Sequence, residues 1–279
     1  MNASMINAMV SMNALQQKLD VMADNIANVN TVGYKKKEVT FEDLLTNLKN
    51  QPETFNQPGR RTALDFNQGW GTKLSVIQPN LSQGPLKGTE NLTDIAIEGS
   101  AMFEVTIDDA NTSAYTRNGA FQLTMAANGD TILATENGYP VVANVPDANG
   151  NLVEGNIVVP RGYSLRVNAD GTVLGVSSNN TIELGSIKLL QVSRPAALTA
   201  VSDNLFIIAD GVNPDDIVQE VTPDPDNRIA LRQGFLEQSN VQLSDEMTEL
   251  INVQRAYQLA ARALSSSDTM MGIANSIRA

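Results

Sequence analysis

The chain has 31 acidic residues, no histidine and no cysteine, so the chemistry open to it is narrow. Disulfides, thiolate and imidazole metal sites, cysteine nucleophiles and histidine-based triads are all excluded. What remains is carboxylate chemistry. Asp147-Ala148-Asn149-Gly150-Asn151 has the composition of a calcium loop, but no acid stands twelve residues along to close one. Turns use the same residues. The acids of Asn213-Pro214-Asp215-Asp216 and Pro223-Asp224-Pro225-Asp226 are spaced by proline and read as solvated loop, not as a paired acid and base. No cofactor or metal is expected.

The net charge of −12 argues against nucleic acid, whose phosphates require a basic face, and against an anionic membrane surface. No run of about 18 apolar residues predicts a transmembrane helix. The Met-rich start, interrupted by Asn2, Ser4, Asn7, Ser11 and Asn13 with its first basic residue at Lys18, does not read as a cleavable signal. An exported product is expected to keep its N-terminus.

The elements that organise the chain are its two ends. Met5, Ala8, Met12, Leu15, Leu19, Met22, Ile26 and Val29 alternate steps of three and four, an a/d seam that stops at Gly33. Asn25, Asn28, Asn30 and Thr31 favour turns, Gly33 suits a left-handed cap, and Lys35 to Lys37 suit the negative end of the helix dipole. In the last helix Leu243, Leu250, Tyr257, Leu264 and Met271 recur every seventh residue, with Met247 on the same face. A second stripe of mostly small residues runs Val253, Ala256, Ala260, Ala263, Ser267, Met270, Ala274 and Ile277. Ser239-Asn240-Val241-Gln242 predicts a capping box. One chain supplies one partner for each seam, so the pattern predicts an assembling subunit.

Between the ends, residues 34–90 read as extended chain with anchors at Phe55, Phe66 and Trp70. The cluster Phe41-Glu42-Asp43-Leu44-Leu45 is expected to form a helical turn or two. From Asn91 to Ala209 the pattern is antiparallel β: Phe103, Val105, Ile107; Phe121, Leu123, Met125; Leu165, Val167. Hairpin turns are predicted at Asn118-Gly119, Asn128-Gly129, Asn137-Gly138, Asn149-Gly150, Asp170-Gly171 and Asp210-Gly211, giving a meander or barrel-like domain. The fold class is α+β: long terminal helices forming a coiled-coil-like assembly core around a central antiparallel domain. The expected division is a helix at 1–33, an extended segment at 34–90, a β-rich domain at 91–235 and a helix at 236–279.

Leu19 through Lys35, with Asn25, Asn28, Gly33 and Tyr34, resembles the N-terminal signature of bacterial flagellar axial proteins of the rod and hook group. Gly84-Pro85-Leu86, Asp94 through Gly99, and Tyr115-Thr116-Arg117-Asn118-Gly119-Ala120-Phe121 resemble the central blocks. Gln233 through Val241, including Ser239 and Asn240, and Gln254-Arg255-Ala256-Tyr257 resemble the C-terminal block. The resemblance spans nearly the whole chain and is closest to the distal-rod type. Asp24 stands where Asn is usual, Val32 where Pro is common, Gly99-Ser100-Ala101-Met102-Phe103 replaces Gly-x-Gly-Phe-Phe, and Leu259-Ala260-Ala261 replaces a polar run.

The resemblance implies a structural, non-enzymatic subunit whose terminal helices polymerise into a hollow shaft that transmits torque. It implies contact with other rod and hook subunits, and export through the flagellar type III apparatus, with Phe41 and Leu45 as the export-gate element. The implied location is the basal body, outside the cytoplasm. The alternatives are a hook or hook-associated axial protein and a carboxylate-dependent cell-wall glycosidase.

Overall fold

The computed structural model describes residues 2–43, 47–49, 66–68, 71–107, 112–125, 129–146, 152–177, 180–201, 204–209, 211–223 and 229–278. Leu44, Leu45, Phe55, Trp70, Asn128, the Asp147–Asn151 loop, Asp210, Asp224 and Asp226 lie outside the described residues. Two helices, α1 (Asn2–Ala27) and α2 (Leu243–Arg278), bracket a long run of strands, an α+β fold. The chain divides into two compact units. One comprises Met1–Ile26, Lys37–Ile77 and Gln242–Ala279; the other comprises Ala27–Lys36 and Gln78–Val241.

In the helical unit α1 and α2 run antiparallel. Asn25 meets Glu246, Lys18 meets Glu249, and Met9 and Met12 share a groove with Tyr257 and Leu264. As the α1 number falls, its partner's number rises. α1 ends at Ala27, before Val29, so Val29 lies in the following turn and is not a helical seam position. The asparagines end the helix by competing for its backbone groups. Strand Lys37–Asp43 pairs with Thr72–Pro79, which corrects the expected helical turn at Phe41. Val39, Thr40 and Phe41 favour a pleated surface over a helix.

The β unit holds three larger antiparallel sheets. The six-stranded sheet runs Leu198–Ala200, Leu205–Ile208, Ser113–Thr116, Met102–Thr106, Leu189–Val192, Val218–Glu220. Two of its pairings join consecutive strands and three join strands distant in sequence, so the topology is not a simple meander. Its alternation feeds two cores. Phe103, Val105, Ala114, Leu189 and Leu205 enter the main core with Ile95, Ile97, Leu133 and Val173. Met102, Tyr115, Leu190 and Phe206, one residue out of phase, enter a second core with Ile217. A sheet buried on both faces needs apolar residues at consecutive positions. Phe103 also meets Phe121 edge to face, 5.0 Å between centroids, the arrangement favoured by the ring quadrupoles.

The five-stranded sheet runs Leu152–Asn156, Val142–Pro146, Thr181–Ile187, Thr172–Val176, Ser164–Val167. In its last strand Leu165 and Val167 are buried while Ser164 and Arg166 are exposed. The three-stranded sheet runs Val158–Val159, Thr131–Thr135, Phe121–Met125. Phe121 is buried, but Leu123 and Met125 sit on an edge strand, 40% and 63% exposed.

Gly129, Gly138, Gly171 and Gly211 take the positive φ their turns require. At Asp170-Gly171 the Asp170 carboxylate accepts from the Thr172 backbone N–H and hydroxyl. Those bonds hold its pKa below the usual carboxylate value. Asn118-Gly119 is different and corrects the expected hairpin. Gly119 has no positive φ; it lies where two chain segments cross, and its carbonyl accepts from the Ile95 N–H at 3.0 Å. A Cβ there would stand 1.7 Å from the Ile95 carbonyl oxygen. Gly119→Ala should therefore destabilise the β unit by about 3 kcal/mol or more. Gly88→Ala, whose added carbon would meet Phe235 at 3.7 Å, should change stability by less than about 1 kcal/mol. Urea melts of the two variants check the contrast.

Candidate functional site

The strand Phe235–Glu237 pairs with Leu86–Gly88 and carries Glu237 into the β unit, 2% exposed. A buried carboxylate is tolerated only when it is paired and hydrogen-bonded. Its Oε1 accepts from the Lys35 Nζ at 2.8 Å and from the Gly84 N–H at 2.7 Å. Its Oε2 accepts from the Arg117 Nε. The same guanidinium donates to the carbonyls of Ala101, Ile97 and Gly99, and Lys35 also donates to the Ser82 carbonyl at 2.8 Å. Both cations are buried with it, Lys35 at 2% and Arg117 at 3% exposure.

Backbone contacts close the junction. The Gly33 N–H donates to the Glu237 carbonyl at 2.8 Å, with Gly33 at φ +69° and its missing Cβ 2.6 Å from the Asn118 nitrogen. The Lys36 N–H donates to Asn240 Oδ1 at 2.7 Å, while Asn240 Nδ2 donates to the carbonyls of Asn80 and Ser82. Thus Arg117 meets the buried Glu237 carboxylate, Gly33 its backbone carbonyl, and Asn240 the Lys36 and Ser82 backbone beside it. Tyr115 belongs instead to the second core, where burial and then the Glu104 charge push its phenol up.

Two expectations change. Gly33 is not a helix cap, and Lys35 does not serve the helix dipole, because α1 ends well before either. Ser239 is not the N-cap of α2, which begins at Leu243; its hydroxyl accepts from the Val241 N–H at 3.3 Å. The Gln242 carbonyl instead accepts from Asp245 and Glu246. The hub, Glu237, was not singled out from sequence. Its signal is an acid flanked by Phe235 and Leu236 in a strand, at a position that faces inward.

In the helical unit, Asn25 works like a strand fragment. Its Oδ1 accepts from the Lys37 N–H at 2.9 Å, its Nδ2 donates to the Lys37 carbonyl at 3.0 Å, and Nδ2 reaches Glu246 at 3.4 Å. In the β unit, just past α1, Asn28 accepts from the Thr31 hydroxyl at 3.0 Å. Lys37 pairs with Asp24 at 2.5 Å. The Lys18 ammonium lies over the Phe41 ring, 5.7 Å from its centroid, and pairs with Glu249.

Along α1, Met22 is buried and Met5, Met12, Leu15, Leu19 and Ile26 are half-buried. On α2, Glu246, Val253 and Ser267 are buried and Leu250, Tyr257, Leu264 and Met271 half-buried. A different stripe remains exposed: Leu243, Met247, Ile251, Arg255, Leu259, Ala263, Ser266, Met270, Ile273 and Ile277. It takes Leu243 and Met247 from the expected bulky seam, and Ala263, Met270 and Ile277 from the expected small one. Ile251, Leu259 and Ile273 were missed, because steps of four drift across the heptad frame. Exposure reaches 64% at Leu259 and 80% at Ile277. Gln254 is exposed beside it.

Glu104 and Glu154 both bond the Lys188 ammonium, at 2.9 and 2.7 Å. Burial lowers that lysine's pKa, but the two carboxylates outweigh it and hold the ammonium above its ordinary range. This ion-paired trio is not an acid and base poised across a cleft. Among the described residues no group of three or more acids is placed to hold a metal, and no helix is long and apolar enough to cross a membrane.

Burial, and then the Arg117 charge, pull the Lys35 ammonium down to about 8, against the opposing pull of Glu237. Between about 8 and the ordinary 10.5 the unfolded chain binds more protons than the folded one. The Lys35 contribution to stability therefore rises with pH across that window and is lost as pH falls through about 8. The stability of the parent relative to Lys35→Met should increase over the same interval in urea melts. At neutral pH Glu237→Gln should cost about 3–5 kcal/mol by leaving two buried cations without their counter-charge. Breaking the exposed Arg232–Glu98 pair with Arg232→Met should cost under about 1 kcal/mol.

The sequence matches three family profiles: the flagella basal body rod protein over residues 5–35, the flagellar hook protein FlgE/F/G D1 domain over 96–175, and the flagellar basal body rod FlgEFG C-terminal region over 232–277. It is 35% identical to the flagellar basal-body rod protein FlgG of Borreliella burgdorferi, covering 96% of this chain and 95% of that one. It is 33% identical to the flagellar hook-basal body complex protein FlhP of Bacillus subtilis, covering 99% of each. Against the Bacillus subtilis FlgG it is 32% identical, with 96% of each chain covered. These relatives are matched over nearly the whole chain, and the chain belongs to the flagellar rod and hook–basal body family, as a structural subunit of the flagellar basal body.

Proposed function

We propose that the chain is a rod subunit that polymerises through α1 and α2 into a hollow, torque-transmitting shaft. The observation that carries this reading is the exposed stripe on α2. It is apolar or small at every position but Arg255, and spans the whole helix. At about 1.5 Å per residue that helix is on the order of 54 Å long. A long apolar stripe on a soluble surface marks an interface. The antiparallel pairing of α1 with α2 covers the opposite side of α2, so one chain satisfies half of the helix and a neighbour satisfies the rest.

The subunit is a building block without catalytic activity, in contact with other rod and hook subunits. Rod names among the relatives favour the rod over a hook or hook-associated position. Export precedes folding and needs no cleaved signal. Phe41, 38% exposed on its strand, and Leu45 form the export-gate element in the unfolded chain. The extended segment after α1 braces adjacent subunits.

Leu259→Asp and Ile273→Asp each place a charge on the stripe, where assembly would desolvate it at a cost of several kcal/mol. Cells carrying either variant should lose completed basal bodies and swimming, while the melting of the purified monomer stays unchanged. Normal basal bodies with both variants would remove the stripe from the interface. Phe41→Ala should reduce secretion several-fold more than it alters folding, measured as subunit in the culture medium of a strain lacking the hook.

A further inference from the structure

Arg255 is the one charge in the exposed stripe, and the described residues give its side chain no partner. Moving a guanidinium into an apolar interface is costly unless an acid meets it. We infer that Arg255 of one copy pairs with Asp20 of the next, and that this ion pair sets the register between neighbouring helices. The inference rests on the assembly proposed above and assigns one of its contacts.

Charge complementarity selects the acid. In a polar polymer every α1 runs one way and every α2 the other, so an α2 that docks on a neighbour's α1 does so antiparallel. The charges on α1 are Lys18, Asp20 and Asp24. Lys18 is held by Glu249 and Asp24 by Lys37. Asp20 is exposed, has no bonded partner among the described residues, and lines a groove with Met9, Met12, Tyr257 and Leu264.

Pairing Arg255 with Asp20 fixes what else meets. Equal steps away from the pair, down α1 and up α2, set Gln16 against Leu259, Met12 against Ala263 and Met9 against Ser266. Two flexible thioethers then face the two small residues of the stripe, and Met9 is 59% exposed in the single chain. Bulky side chains opposite small ones let the ridges of one helix enter the grooves of the other. A single polar contact within an apolar seam specifies register in coiled coils, at some cost in stability.

The test is a charge exchange in cells, with completed basal bodies counted by electron microscopy. Arg255→Asp and Asp20→Arg each place like charges together and should lower the count about tenfold or more. Combining the two restores the pair with reversed polarity and should return the count to within about threefold of the parent. Both positions are on the surface, so the monomer melt should not move for any of the three. Single variants that assemble normally overturn the inference; if Leu259→Asp still blocks assembly, the helical stripe stands without it. Single variants that block assembly but are not rescued by combination also overturn it, because Arg255 then meets a group other than Asp20.

Discussion

The β unit depends on one buried carboxylate. Glu237 sits between Lys35 and Arg117 and accepts from the Gly84 backbone, so three charges and several carbonyls share a space closed to water. Such a cluster yields little net stabilisation over an apolar filling, since desolvation offsets most of the Coulomb gain. What it imposes is geometry. Its donors come from the segment after α1, from the end of Ser113–Thr116 and from the Leu86–Gly88 approach, and none can shift without stranding a charge. The glycines around it follow from the same constraint. Gly33 and Gly84 lie where a Cβ would overlap backbone atoms, because the segments must approach closely for the short polar reaches to close.

The helical unit is built on the opposite logic. Its polar contacts, Asn25 with Lys37 and Glu246, Asp24 with Lys37, and Lys18 with Glu249, locate the helices. Packing, however, finishes only one side of α2. Val253, Ser267 and Glu246 are buried while Leu243, Met247, Leu259, Met270, Ile273 and Ile277 face solvent. The proposed assembly would cover this surface with a neighbouring copy. The two units thus divide the work between a rigidly specified body and an unsaturated pair of helices.

Much of this was legible in the sequence because periodicity reports burial. The two terminal helices, the alternation at Phe103 and Val105, and the Asp-Gly and Asn-Gly turns follow from local geometry. Other features depend on contacts between distant residues, which local pattern does not encode. Asn118-Gly119 has hairpin chemistry but serves a chain crossing. Met102 and Tyr115 look out of phase until a second core on the far face of the sheet accounts for them. Ser239 has capping chemistry but lies in the approach to α2. Glu237 resembles any surface acid until Lys35, 202 residues away, is folded against it. The exposed stripe of α2 escaped for another reason. Its run of steps of four winds by about 40° per step around the helix, so it passes from one seven-residue seam to the other.

The central claim is that the exposed face of α2 is covered by neighbouring copies. Hydroxyl-radical footprinting of the monomer and of purified basal bodies measures this directly, residue by residue. Met247, Leu259, Met270 and Ile273 should be labelled in the monomer and strongly protected in the basal body. Equal labelling of those side chains in the two states would contradict it.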